Sequence, residues 1–365
     1  MPEVPVTVPF LDLRVPAEEQ AELLAVVTRV LNHGRLVMGP EVSAFEERVA
    51  RACNRVHAVG VGSGTDALWL GLRALGIGPG DEVITTPLSW VASSNAIVLT
   101  GAEPVFADIG DDLNLDPASI PALITSRTRA ILFVDFTGHM ADAAALEAVA
   151  ANHGLLLVED GSQAFGARVD GRPCGSVGDL SGISHNPMKV LGALGEAGSV
   201  LTNDGEVRER LTTLRYAGTP DRQTCIEPSL NGRLDTLQAA VLLARLDRVS
   251  DAVTARRAHA IRYDAGLREP VATPMRSPRF DDVFYTYTVQ CPRRDELRSH
   301  LAESGIETKI QHPQLIPQQP AFTDFRRRCP RAEHLVTRIL SLPMSERLST
   351  DQVDTVIDAV NTFYR

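Results

Sequence analysis

Five cysteines in 365 residues, none of them in a CxxC pair, give no basis for a disulfide framework or a zinc site. Cys53, Cys174, Cys225, Cys291 and Cys329 are scattered, as reduced thiols in a cytoplasmic protein would be. Positive charge is also short. The formal net charge is −10, which argues against a nucleic-acid partner or an anionic membrane surface, since either favours a basic face. No apolar run approaches the ~20 residues that span a bilayer. The opening Met1-Pro2-Glu3-Val4-Pro5 lacks the basic and apolar regions of a signal peptide. There is no P-loop GxxxxGK[ST], no HExxH and no GxSxG elbow, and the nine histidines show no metal-ligand spacing. Internal repeats and low-complexity tracts are absent. Tryptophan occurs twice.

What is present is ordinary in amount and ordered in pattern. Hydrophobic residues make up 44% and charged residues 22%, as in a soluble globular protein long enough for two domains. Apolar strand-like runs fall at 57–61, 82–86, 103–108, 130–135, 155–159, 180–184 and 198–202. Helical segments at 65–75, 89–100, 141–153 and 204–217 lie between several of them, after two earlier helices at 18–31 and 41–54. Short apolar strands alternating with helices predict an α/β fold with a mostly parallel sheet covered on both faces. One long helix over 234–268 is expected to lead out of the large domain. Beyond it, 283–289 alternates like a half-exposed strand, and helices at 293–304 and 349–363 suggest a smaller α+β domain. The expected division is 1–250 and 251–365, with the N-terminal helix the one element that could pack on the small domain. Pro313, Pro317 and Pro320 punctuate a loop at 311–320 that should be ordered.

Three places carry chemistry. Gly62-Ser63-Gly64-Thr65-Asp66-Ala67 follows a strand and opens a helix, so free N–H groups and close backbone approach make an anion site. It also satisfies GxGxxA, but the next strand lacks a terminal acid for a ribose, which favours a compact phosphate over a dinucleotide. A plain tight turn with a good helix cap remains open. Leu155-Leu156-Leu157-Val158-Glu159-Asp160 is a buried strand with a carboxylate at its C-terminal end, where α/β sheets place ligands. Read alone, Asp160 is better taken as a helix cap, and Gln163 could reach a polar atom of the same ligand. Third, Ser184-His185-Asn186-Pro187-Met188-Lys189 puts a lysine between a strand and a flexible, glycine-punctuated loop (Gly192, Gly195, Gly198). A Schiff-base lysine and an aspartate for a ring nitrogen are what pyridoxal phosphate chemistry needs. Trp90, near the same region, is a flat aromatic of the kind more often found in a core than stacked on a ligand.

Together with Gly195-Glu196-x-Gly198, Asn231-Gly232-Arg233-Leu234-Asp235, Gly39-Pro40-Glu41-Val42 and Ser341-Leu342-Pro343, these motifs resemble the DegT/DnrJ/StrS sugar aminotransferases nearly end to end. The resemblance implies the fold type I of pyridoxal-phosphate-dependent transferases. It implies Lys189 as the Schiff-base lysine and proton carrier, and Asp160 on the pyridinium nitrogen. Gln163 would meet the phenolic oxygen, Trp90 would stack on the ring, and Gly64, Thr65 and Ser184 would bind the phosphate. Asn231 would reach the phosphate of the neighbouring subunit's cofactor, making the active unit a homodimer. The chain departs from the family at His185, Asn186 and Met188 and in the loop Gln311-His312-Pro313-Gln314-Leu315-Ile316-Pro317. His185, Gln311 and His312 are therefore the candidates for the substrate wall.

The expected reaction moves an amino group from L-glutamate or L-glutamine to a keto-sugar, nucleotide-linked, or to a keto-cyclitol, with pyridoxamine phosphate between the two halves. Arg215, Arg233 and Lys309 are the candidates for the donor's carboxylate, and the sequence does not choose among them. Three rivals share parts of the pattern. A dehydratase on this scaffold typically replaces the lysine. A nicotinamide oxidoreductase leaves Lys189 and Asn231 unexplained. A non-catalytic binding or regulatory protein would be expected to lose Lys189 or Asp160.

Overall fold

The computed structural model describes residues 6–365. Seven strands form one sheet in the spatial order His57–Val61, Gly198–Thr202, Leu180–Ser184, Leu156–Asp160, Thr128–Val134, Glu82–Thr85, Glu103–Phe106. Every pairing is parallel except the two made by Gly198–Thr202, which runs antiparallel to both neighbours. All seven lie where apolar runs predicted them. Strands covered on both faces read as continuous hydrophobic runs, and Glu82–Thr85 and Gly198–Thr202 are buried at every position.

Helices cover both faces. On one side, Pro40–Ala52, Ala143–His153 and Thr236–Leu246 bring Val42, Phe45, Leu146 and Leu242 against Ile131, Phe133 and Leu201. On the other, Gly64–Ala74, Ala92–Leu99 and Gly205–Leu214 pack Leu68, Leu72, Ile97 and Leu211 on Val83, Leu132 and Val158. Their starts are capped from the sequence: Ser63 accepts from Asp66 N–H, Asp142 from Ala145 N–H, and Asp204 from the N–H groups of Glu206 and Val207. The N-terminal helix Ala17–His33 packs Val26 and Val30 on Ala240 of the helix Thr236–Leu246, whereas Val8 ahead of it joins the C-terminal core.

That second core centres on Tyr263, Tyr287, Leu297, Leu301, Leu340 and Val356. It joins the antiparallel pair Tyr287–Gln290 and Ile339–Leu342 to the helices Val249–Gly266, Arg294–Glu303 and Thr350–Phe363. Two sequence expectations are corrected here. The single helix over 234–268 is two, Thr236–Leu246 and Val249–Gly266. The chain turns at Asp247 and Arg248, whose side chains are taken by Arg48 and Glu22 of the two first helices. The strand expected over 283–289 begins only at Tyr287. Before it, Phe284 has φ +49°, Val283 N–H and Thr286 N–H donate to the carbonyls of Gly138 and Thr137, and Arg256 takes the carbonyls of Phe284 and Tyr285. The backbone groups a strand would pair are spent on a neighbouring loop. Among the described residues no helix is long and apolar enough to cross a membrane.

Candidate functional site

The C-terminal ends of the parallel strands, where open α/β sheets place ligands, open into a cavity of about 410 Å³. That volume is within the ~300–1,000 Å³ usual for small-molecule sites. Gly64, Thr65, Trp90, Asp160, Gln163, Ser184, Lys189, Gln311 and His312, all singled out from the sequence, line this one space.

One part of the wall is built for an anion. The amides of Gly64 and Thr65 lie in the first turn of a helix, where N–H groups have no partner within it. Ser184 closes against them: a Cβ on Gly64 would stand 2.5 Å from the Cβ of Ser184. Across the same seam a Cβ on Gly198 would meet the carbonyl of Ser63 at 2.2 Å. Two glycines are therefore required for the helix start to sit against the strand pair, and the hydroxyls of Ser63 and Ser184 share that cradle.

Asp160 ends the strand Leu156–Asp160 and is 5% exposed. Its Oδ2 accepts from Ser93 Oγ at 2.8 Å and its Oδ1 from Ser162 N–H at 3.2 Å. Among the described residues no arginine or lysine forms an ion pair with it. Gln163 Oε1 accepts from Thr137 N–H at 2.9 Å, which leaves the amide NH₂ to donate into the cavity. Trp90 is 62% exposed, and its ring is paired with that of His312 at 6.0 Å and a tilt of 42°.

Lys189 follows an Asx turn in which Met188 N–H donates to Asn186 Oδ1 and Lys189 N–H to Asn186 carbonyl. Its Nζ lies 4.6 Å from the centre of the Tyr285 ring. The chain holds only two lysines, Lys189 and Lys309, and both line the cavity. The loop expected to be flexible is pinned: Arg245 donates to the carbonyls of Gly192 and Ala193, and Leu194 N–H donates to Gln238 Oε1. Glu196, also on the wall, accepts from Asn186 Nδ2 at 2.7 Å.

Two residues lie elsewhere. His185, expected at the substrate wall, is fully buried on the opposite side of the chain from Ser184. Its ring meets Phe45 and Phe165 edge-on at 5.3 and 5.9 Å. Leu191 carbonyl can only accept, so Nδ1 carries the proton and Nε2 accepts from Ser199 Oγ at 2.9 Å. Burial pushes its pKa down to about 4. His185 is a packing residue, and its assignment to the substrate wall is corrected. Asn231 is exposed and outside its own chain's cavity, with its Oδ1 accepting from Arg233 Nε at 2.6 Å.

Three contributors went unread in the sequence. Ser93 holds Asp160 and sits one helical turn after Trp90, a spacing that could have marked it. Ser162 supports Asp160 through its amide and Ser184 N–H through its hydroxyl. Tyr285 lies in the stretch taken for a strand, which gave no sign that its ring would face Lys189. His312, at φ +53°, is held neutral: burial first, then the charges of Lys309 and Lys189, push its pKa down to about 4.

An amide-lined anion cradle, a carboxylate free of cationic partners, a free amide NH₂, an exposed aromatic face and a lysine in one cavity match the donor set of pyridoxal phosphate. A model of the DegT/DnrJ/EryC1/StrS aminotransferase family matches residues 17–361. The dTDP-3-amino-3,4,6-trideoxy-alpha-D-glucose transaminase of Streptomyces venezuelae is 44% identical over 97% of this chain and 95% of its own length. The UDP-2-acetamido-2-deoxy-3-oxo-D-glucuronate aminotransferase of Pseudomonas aeruginosa is 35% identical over 96% and 99%. Among solved structures, S. venezuelae DesV superposes with a TM-score of 0.95 at 43% identity, covering 99% of each chain. Bacillus subtilis NtdA, solved with bound pyridoxamine phosphate, superposes at 0.93 and 28% identity over 99% of this chain and 86% of its own.

Proposed function

Because the chain belongs to the DegT/DnrJ/EryC1/StrS aminotransferase family and is a pyridoxal-phosphate-dependent aminotransferase, we propose that it aminates C3 of a dTDP-linked 3-keto deoxyhexose, with L-glutamate or L-glutamine as donor. The name of the 44% identical relative supports the dTDP-sugar, and both relatives' names place the nitrogen or the oxo group at carbon 3. The observation that carries the reading is the meeting of Lys189 and Asp160 in one cavity beside an open helix N-terminus.

In this reading the amides of Gly64 and Thr65 and the Ser184 hydroxyl hold the cofactor phosphate. Asp160 accepts from the pyridinium N–H, kept in place by Ser93 and Ser162. Gln163 donates its NH₂ to the phenolic oxygen, and Trp90 covers the ring. Pyridoxal phosphate, when bound, supplies an electron-withdrawing ring that acidifies the C–H beside the substrate nitrogen. Lys189 Nζ takes that proton from the donor's α-carbon, and in the second half-reaction returns one to C3 of the sugar. Glutamate leaves as 2-oxoglutarate, and the keto-sugar leaves as the amine. Gln311 and His312 form the substrate wall.

Asn231, turned away from its own cavity, serves a second copy in a homodimer. The exposed Ile226 and Leu230 beside it, and Val37 bridged to Asp235, give that contact an apolar surface. The division proposed for the chain is the expected one, 1–250 and 251–365.

The test is a single turnover. Purified enzyme carrying its chromophore is mixed with L-glutamate or L-glutamine, and about one equivalent of keto acid per active site is expected before any sugar is added. Lys189→Ala should abolish it. Absence of keto acid with both donors, or a Lys189→Ala variant that matches wild type, overturns the reading.

A further inference from the structure

The cation that receives the donor's carboxylate can be chosen by elimination among the basic residues, because three candidates exist and two are already committed. Arg215 is 5% exposed, and its guanidinium is taken by the Glu46 carboxylate and by Gly60 carbonyl at 2.9 Å. Arg233 is committed within its own chain, with Nε on Asn231 and its guanidinium over the Tyr216 ring at 4.4 Å. Lys309 lines the cavity with Lys189.

Lys309 is also free to act. The ion pairs of the described residues are made by arginine or histidine, never by a lysine. Glu196, the exposed acid on the same wall, is engaged with Asn186. The backbone of Lys309 is fixed: its N–H donates to Ser341 carbonyl at 3.1 Å, and its own carbonyl accepts from Ser341 N–H at 2.8 Å. A flexible four-carbon stem therefore rises from a rigid edge of the small sheet, two and three residues before Gln311 and His312. The charge of Lys309 reaches His312, since both lysines act on that ring.

We infer that Lys309 binds the α-carboxylate of the amino-acid donor; the inference rests on the transaminase reading above. The α-carboxylate is one bond from the carbon whose proton Lys189 moves, so its cation must share the cavity with Lys189. The diphosphate of a nucleotide-sugar is separated from C3 by the sugar ring, so its partners lie farther out. Lysine also suits a site that serves two substrates in turn. A single mobile ammonium holds the carboxylate and then moves aside for an uncharged sugar ring, where a bidentate guanidinium would hold more rigidly.

The half-reactions separate the possibilities. Holoenzyme is mixed with L-glutamate in single turnover, and the pyridoxamine form is mixed with the keto-sugar. For Lys309→Met the half-saturating glutamate concentration should rise on the order of tenfold or more, the size of one charge-assisted contact. The maximal rate and the keto-sugar half-reaction should stay near wild type, and Lys309→Arg should recover part of the donor affinity. Unchanged glutamate saturation in Lys309→Met overturns the inference, as does a loss confined to the keto-sugar half or a fall in maximal rate with saturation unchanged. Wild-type enzyme that forms no keto acid overturns the transaminase reading itself.

Discussion

Acid should unfold this protein partly through His185, a residue remote from the chemistry. The native state keeps the ring neutral down to about 4, while the unfolded chain protonates near the ordinary value of 6.5. The folded pKa of a base is depressed, so the unfolded state binds the proton first. Stability is complete above about 6.5 and is lost as pH falls toward 4. At ~1.4 kcal/mol per unit, that interval is worth roughly 3 kcal/mol. His185→Gln keeps a donor for Leu191 carbonyl and an acceptor for Ser199 Oγ, but gives up the ring contacts with Phe45 and Phe165. At neutral pH the variant should be about 1–2 kcal/mol less stable. It has no imidazole to protonate, so the two stability curves should converge and cross near pH ~5. His312 titrates in both proteins and cancels in the difference. The assay is urea unfolding of holoenzyme between neutral pH and 4, with Michaelis constants for both substrates alongside. Parallel curves would refute the reasoning, and a raised Michaelis constant for the keto-sugar would restore His185 to the substrate wall.

Ser93→Ala removes one of two hydrogen bonds on Asp160. Losing a charge-assisted bond of ~1.5–3 kcal/mol should lower kcat on the order of tenfold with the protein still folded, and an unchanged kcat would show that Ser162 alone suffices. Asp135 is buried just past the strand Thr128–Val134 beside Glu159, and among the described residues its Oδ2 has no hydrogen-bond partner. Burial first, then the Glu159 charge, raises its pKa well above the ordinary 3.8, so the native state binds more protons than the unfolded chain and stability falls as pH rises through that window. Asp135→Asn should therefore gain on wild type, in thermal unfolding midpoints, as pH goes from about 4 upward. Equal slopes would show that Asp135 ionises freely.

The sheet was legible because buried parallel strands are written as uninterrupted apolar runs, and this part of the cavity wall because a glycine pair and a strand-end carboxylate each have a local cause. His185 was misread although strand alternation already contained the answer: with Ser184 facing the cavity, the next residue must face the other way. Tyr285 and Phe284 were not legible. Arg256 takes their carbonyls, and Gly138 and Thr137 take the flanking amides of Val283 and Thr286; these partners are far away in sequence, and no local period reports such contacts. Arg215 and Lys309 look alike as letters; only the placing of Glu46 beside one and not the other separates them.

A chain whose basic residues are nearly all arginine has an unusual relation to reagents that seek primary amines. Both lysine side chains stand in the same cavity. Acylating or reductive labels, commonly used to decorate a surface at random, would here converge on the place of reaction. Coupling the enzyme to a solid support through its lysines would silence it.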